Sequence, residues 1–249
     1  MTRVKTASEI ANMRTSGHML ATVLNVLTKE ISIGMTTKDV AILADNELRA
    51  LGGKPIFLGM YGFPDVICIS VNDEVVHGIP GKYQLKDGDI ISYDFGVLYN
   101  GMITDAARSK ILGKPKKDTS DLLTGTLESL DAGISVLKDG VRVGDISSAI
   151  QKVLDSYDYG IVRELVGHGV GHELHEEPNI PNYGRAHTGP KLKAGMTIAI
   201  EPMTTLGSHK VYTAADDWTI MTYDGSLSAH FEDTVLITET GSEILTRLK

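Results

Sequence analysis

The chain of 249 residues is 42% apolar and 22% charged, a globular balance long enough to bury one core or two fused ones. A formal charge of −8, from 24 basic and 32 acidic residues, argues against a nucleic-acid partner, and the basic cluster Lys114-Pro115-Lys116-Lys117 reads as a solvated loop. Cys68 is the only cysteine, which rules out an intramolecular disulfide and suits a reducing compartment. From Met1 to Thr6 no apolar signal core develops, and nothing approaches the roughly 18 apolar residues of a membrane span. The expectation is a soluble, cytoplasmic, monomeric protein with no membrane partner.

In chain order, Ile10, Met13, Leu20, Leu24, Leu27 and Ile31 recur at three- and four-residue steps, with Gly17 at the missing step. Thr6 and Glu9 form a capping box ahead of them, so a helix is expected. Thr36 and Asp39 open a second helix, with Val40, Leu43, Ala44, Leu48 and Leu51 on its apolar side. A third carries Leu123, Leu127, Leu130, Ile134 and Leu137, and a fourth Ile146, Ala149, Ile150, Val153 and Tyr157.

These patterns repeat. Gly34, Asp39, Val40 and Ala44 match Gly140, Asp145, Ile146 and Ile150 at an offset of 106 residues, and Leu85–Asp94 matches Leu192–Glu201 at 107. A duplicated α/β half explains both, with halves at about 5–110 and 115–249 forming one domain over 1–249. The alternative is a chance recurrence of a Leu-Lys-x-Gly strand entry. Each repeated strand ends in an acid, Asp94 or Glu201. Ile91, Tyr93 and Phe95, like Ile198 and Ile200, point away from the face that carries it.

Asn100-Gly101 signals a two-residue type I′ hairpin. Counting outward, Tyr99 faces Met102 and Gly96 faces Asp105, making Asp94 and Asp105 diagonal neighbours on one face, roughly 7–8 Å apart at the backbone. Gly96 is expected to leave space between them. Two such carboxylates repel unless a cation lies between, which points to a metal ion; a salt bridge from Arg108 is the competing reading. Gly167-His168-Gly169-Val170-Gly171-His172 is too glycine-rich for a helix, so His168 and His175 are expected on irregular backbone near a ligand. The order His-Glu-x-x-His of zinc-binding helices is absent. Pro202 ends the strand that delivers Glu201, and Glu232 precedes the strand-like run Thr234–Ile237. One histidine and four acids (Asp94, Asp105, His168, Glu201 and Glu232) form an oxygen-rich set suited to two divalent ions.

With Cys68-Ile69-Ser70-Val71-Asn72, Val76-His77-Gly78-Ile79-Pro80, His175-Glu176-Glu177-Pro178 and Ile200-Glu201-Pro202-Met203, this set closely resembles the type I methionine aminopeptidases along nearly the whole chain. The resemblance implies an α+β pita-bread fold, with pseudo-twofold α/β halves around a central antiparallel sheet and helices on its outer face. It implies two divalent metal ions (Co, Mn, Fe or Zn), with Asp105 and Glu232 bridging both, Asp94 completing one, and His168 with Glu201 completing the other. The implied reaction removes the N-terminal methionine from newly made chains with a small second residue, through attack by a metal-bridging hydroxide. Nascent chains, at the ribosome or free of it, are the implied partners. By the same resemblance Glu201 moves the proton, His175 stabilises the tetrahedral oxyanion and His77 contacts the scissile amide.

The methionine pocket maps onto Phe57, Met60, Phe63, Cys68, Leu174 and Trp218, apolar throughout and suited to a thioether. His230 and Asp233 depart from the family's usual Gln and His beside Glu232. Only 33 residues separate His168 from Glu201, and 31 separate Glu201 from Glu232, leaving no room for the type II insertion. Two rivals are an X-Pro-specific exopeptidase on the same fold and a catalytically dead peptide-binding module.

Overall fold

The computed structural model describes residues 1–248. Helix α1 (Ala7–Glu30) begins at Thr6, whose side chain accepts from the Glu9 backbone while Glu9 reaches back. Helix α2 (Thr37–Ala50) repeats this capping box with Thr36 and Asp39. The apolar face of α1 meets the hairpin formed by strands Ile90–Tyr99 and Met102–Ile111, and α2 packs against α1. Leu20, Leu24, Leu27, Val40, Ala44 and Leu48 pack with Ile91, Tyr93, Phe95 and Val97 in one buried cluster. Burying a side chain such as Phe95, wholly inaccessible here, contributes about 1.5–3 kcal/mol. Tyr93 keeps its hydroxyl satisfied on Thr28 Oγ1 at 2.6 Å.

Helices α3 (Lys117–Ser135) and α4 (Val143–Tyr157) cover a second cluster, in which Leu130, Ile134, Ile146, Ile150 and Leu154 meet Ile198, Ile200, Val235 and Ile237. Along α3 and just past its end, the expected stripe holds at Leu123, Leu130, Ile134 and Leu137 but not at Leu127. Leu122 is buried and Leu127 is exposed, because Thr126 and Ser129 also turn inward. Thr126 donates to the Leu122 carbonyl and shares a hydroxyl bond with Thr204. In α2, Leu51 is likewise exposed, standing just past the last helical turn. Among the described residues, no helix is long and apolar enough to cross a membrane.

The hairpin has the expected register, with Tyr99 opposite Met102, Val97 opposite Thr104 and Gly96 opposite Asp105. Asn100 and Gly101 have φ of 46° and 79°, the two positive values that a type I′ turn requires. Cys68–Val71 pairs with the outer edge of Ile90–Tyr99, setting Cys68 opposite Asp94. A five-stranded antiparallel sheet runs in the order Ser242–Ile244, Asp233–Ile237, Thr197–Ile200, Gly167–Gly169, Glu176–Ile180. Two chain segments leave this sheet and re-pair in a smaller one as Met203–Thr205 and Ser228–His230.

His168 lies in a short strand, paired with Ala199 on one side and set at a register shift against the Glu176–Ile180 strand on the other, so the expected irregularity is confined to one edge. The glycines make this possible: a Cβ at Gly167 would come within 2.5 Å of the Ala199 carbonyl oxygen, and one at Gly169 within 2.7 Å of that of Glu177. The expectation of irregular backbone holds for His175, just before the Glu176–Ile180 strand.

Candidate metal centre and its apolar pocket

The hairpin and the five-stranded sheet are stitched together at the acids. Ala107 N–H donates to the Glu232 carbonyl at 3.3 Å, and Glu232 N–H returns a bond to Ala107 at 3.0 Å. Two residues on, Thr234 Oγ1 accepts from Asp105 N–H at 2.9 Å and donates to the Asp105 carbonyl at 2.8 Å. Directly opposed residues share a sheet face. Asp94 opposes Ala107, Ala107 meets Glu232, Thr234 opposes Ala199, and Ala199 opposes His168. Glu232 lies two residues from Thr234, and Glu201 two from Ala199, so the period of two brings the four acids and His168 to one face.

Glu201 and Glu232 occupy matching breaks in the ladder. Ile200 opposes Asp233 and Met203 opposes His230, so the count between them sets Glu201 against Glu232. Pro202 removes a donor there, and the Phe231 N–H donates to the Pro202 carbonyl at 3.4 Å.

The expected site residues line a single cavity of about 110 Å³. Asp94, Asp105, His168, Glu201, Glu232, His77 and His175 form its polar part, and Phe57, Met60, Phe63, Cys68, Leu174 and Trp218 its apolar part. Phe57, Phe63, Cys68 and Leu174 belong to one buried cluster on which Met60 and Trp218 pack. Phe63 meets Trp218 edge-on with ring centres 5.2 Å apart. The space at Gly96 is taken by the pocket rather than left open between the aspartates. A Cβ there would come within 2.4 Å of Ile56 and 2.7 Å of the Phe57 ring.

Burial, then mutual repulsion, raises the carboxyls. Asp94 and Glu232 lie well above the usual carboxylate range, as does Glu201, whose repulsion comes from Asp105. Asp94 and Glu201 keep partly exposed edges, but these face the cavity, so burial still dominates. Asp105, which shares a hydrogen bond with Asp94, is pushed up to about 7 by burial. The imidazoles shift the opposite way. Burial takes His168 and His77 down to about 4 and His230 to about 3, and lowers His175. Cys68 is raised by burial and by the neighbouring acids, so it serves as an apolar thiol.

The competing salt bridge does not form. Arg108 donates instead to Asp233 Oδ1 at 2.7 Å and to the Glu232 carbonyl at 2.6 Å. Among the described residues, no lysine or arginine lines the cavity. Asp94 Oδ1, Asp105 Oδ1, Glu232 Oε1 and His230 Nε2 are buried without a hydrogen-bond partner. Unpartnered buried acceptors are costly, and divalent cations at this point would satisfy all of them. His168 points its ring toward the same acids. Its Nδ1 can only donate to the Gly169 carbonyl, 2.9 Å away, leaving Nε2 as a free lone pair 3.5 Å from Glu201 Oε1. One group of potential donors joins Asp105, His168 and Glu232, and a second joins Glu201, His230 and Glu232.

Two participants escaped the sequence reading as site members. Tyr61 lines the cavity mouth, 78% exposed, with its ring stacked 6.2 Å from that of His175. Its signal was the short Gly59–Gly62 loop between pocket residues. His230 joins the acids, and its signal was the spacing of two from Glu232.

The sequence profile of metallopeptidase family M24 matches residues 11–239. Methionine aminopeptidase 1 of Bacillus subtilis is 48% identical over 244 residues, covering 98% of both chains. Methionine aminopeptidase of Clostridium perfringens is 46% identical over 246 residues, covering 99% of both. A crystal structure of methionine aminopeptidase from Thermotoga maritima superimposes with a TM-score of 0.98 at 46% identity, covering 100% of each chain. The α+β pita-bread fold expected from the sequence is the fold found. The chain belongs to metallopeptidase family M24, among its type I methionine aminopeptidases.

Proposed function

We propose that this chain removes the N-terminal methionine from newly made polypeptides, working as a cytoplasmic monomer on nascent chains with a small second residue. The observation that carries this reading is an apolar pocket opening directly onto a cluster of acids and neutral imidazoles in one small cavity. Phe57, Met60, Phe63, Cys68, Leu174 and Trp218 would take the methionine side chain. A thioether suits such a pocket because it adapts to irregular apolar walls and contacts ring edges favourably.

Asp94, Asp105, His168, Glu201 and Glu232 would hold divalent ions, and such a donor set suits Co, Mn, Fe or Zn. When bound, such ions supply Lewis acidity and lower the pKa of water at the site. The remaining work falls to side chains. Glu201, with its proton affinity raised by burial, is suited to take up and release a proton. His175, kept neutral and set at the mouth, would donate an N–H to the oxyanion of the tetrahedral intermediate. His77, behind it and also neutral, would contact the scissile amide. Tyr61 and His175, which stack on each other and both line the cavity, would crowd the residue after methionine and so favour a small one.

The test is turnover of Met-Ala-Ser against an Ala-Pro peptide under anaerobic conditions, each with Mn, Fe, Co or Zn. Cleavage of Met-Ala-Ser with at least one metal is expected, and His168→Ala should lose that activity while staying folded. Preferential cleavage of the Ala-Pro peptide would reassign the chain to an X-Pro enzyme. Absence of both bound metal and turnover would leave only a peptide-binding module.

A further inference from the structure

His230 occupies the last position of the strand Ser228–His230, where the chain turns from the small sheet toward Glu232. Two buried serines brace its backbone. The His230 N–H donates to Ser109 Oγ at 3.0 Å, Ser109 Oγ donates to the His230 carbonyl at 2.8 Å, and Ser92 Oγ lies 2.7 Å from Ser109 Oγ. The ring is 1% exposed, yet its Nε2 has no hydrogen-bond partner. That nitrogen stands 3.7 Å from Glu201 Oε2, too far for a hydrogen bond. Glu201 thus lies between two imidazoles, with Oε1 3.5 Å from His168 Nε2 and Oε2 facing His230. Two donors each about 2.1 Å from one ion sit roughly 3–3.5 Å apart, so both separations are close to those of co-ligands. The donor atoms of Glu201, His230 and Glu232 also lie within 4.8 Å of one another.

We propose that His230 is a sixth protein ligand of the metal centre, giving an ion held by Glu201 and Glu232 an imidazole nitrogen. This rests on the metal reading above and adds to it. The family's usual residue at this position is Gln, which offers an amide, so the substitution makes one of the two sites richer in nitrogen. Such a site should favour zinc or iron over manganese more strongly than an oxygen-dominated one.

The test is nitrogen NMR of the full-length protein labelled with ¹⁵N-histidine, recorded after chelation and again after saturation with zinc, a diamagnetic probe. Two imidazole nitrogens, those of His168 and His230, should move to metal-bound positions. One should remain bound in His168→Ala and one in His230→Gln. Zinc affinity, measured by competition with a chelating dye, should fall about tenfold to a hundredfold in His230→Gln. If the wild-type spectrum shows only one bound imidazole and His168→Ala shows none, His230 is no ligand, whether or not His230→Gln folds. That result would leave the aminopeptidase reading intact, whereas a wild-type protein that binds no zinc and cleaves no Met-Ala-Ser would overturn both.

Discussion

Replacing Asp105 by Asn should abolish activity and yet stabilise the protein once metal is stripped by a chelator. The Asp105 carboxyl is raised from 3.8 to about 7 by burial. Its folded form therefore holds a proton that the unfolded chain releases at lower pH. Between about pH 4 and 7 the native state binds more protons, so stability falls as pH rises through that window and stays low above it. A rise of about 3 units at 1.36 kcal/mol each puts the penalty at about 4 kcal/mol in alkaline solution. Asn keeps the shape and removes the charge, which also relieves Asp94, Glu201 and Glu232, all raised in part by Asp105. A weakened bond to Asp94 offsets about 1 kcal/mol of this. Chelated Asp105→Asn should thus exceed chelated wild type by about 3 kcal/mol at pH 8, roughly 6–12 °C in Tm for a domain of this size. Urea titrations with chelator at pH 4, 6 and 8 should show that gap closing toward the acid end. Saturating metal should reverse the order, because only the wild-type set binds it well. A chelated variant no more stable than wild type at pH 8, or a gap that widens in acid, would refute the electrostatic account.

Two further substitutions probe the supports of the site. Gly96→Ala leaves every acid in place but drives a methyl into Ile56 and the Phe57 ring, so it should cost about 1–3 kcal/mol and raise KM for Met-Ala-Ser at least tenfold; an unchanged KM would detach Phe57 from the methionine pocket. Arg108→Met keeps the aliphatic stem but removes donors to Asp233 and to the Glu232 carbonyl. Urea unfolding should register a loss of about 3 kcal/mol, with kcat falling as Glu232 loses its brace, and a loss below 1 kcal/mol would show that Arg247 and Thr246 suffice for Asp233.

The hairpin was legible to the residue because Asn100-Gly101 fixes both turn type and register, and every later pairing of Asp94 and Asp105 follows by counting. The first two helices were readable apart from Leu51, since their capping boxes are local and their buried faces mainly apolar, with Ser16 and Thr37 the polar exceptions. Legibility failed where tertiary partners override local pattern. In α3, Thr126 and Ser129 face inward on hydroxyl bonds, so the hydrophobic stripe fails at Leu127 while Leu122 takes a buried place beside it. The strand bearing His168 carries no β signal at all. It is a strand only because two neighbouring backbones press close enough to exclude any side chain at Gly167 and Gly169. Gly96 was misjudged for a related reason: what fills the space over a glycine comes from a distant segment, here Ile56 and Phe57. His230 was visible as a departure from its family, but its aim into the acids depends on the serine brace across the sheet.

The same seam explains why the acids can sit together at all. The hairpin supplies Asp94 and Asp105, while the five-stranded sheet and its breaks supply His168, Glu201 and Glu232, so neither element alone holds more than two carboxylates. Directly opposed like charges weaken a ladder, and Glu201 and Glu232 stand opposed where the ladder is already interrupted at Pro202. The repulsion is thereby borne by a short stretch with few backbone bonds to lose. On either side, the buried clusters under α1–α2 and under α3–α4 hold the seam closed independently of the acids. The reciprocal bonds of Ala107 with Glu232 and of Asp105 with Thr234 then fix the spacing between the two carboxylate-bearing walls. A site built this way is rigid before a cation arrives, so binding need not order the ligands and its free energy goes into offsetting their repulsion.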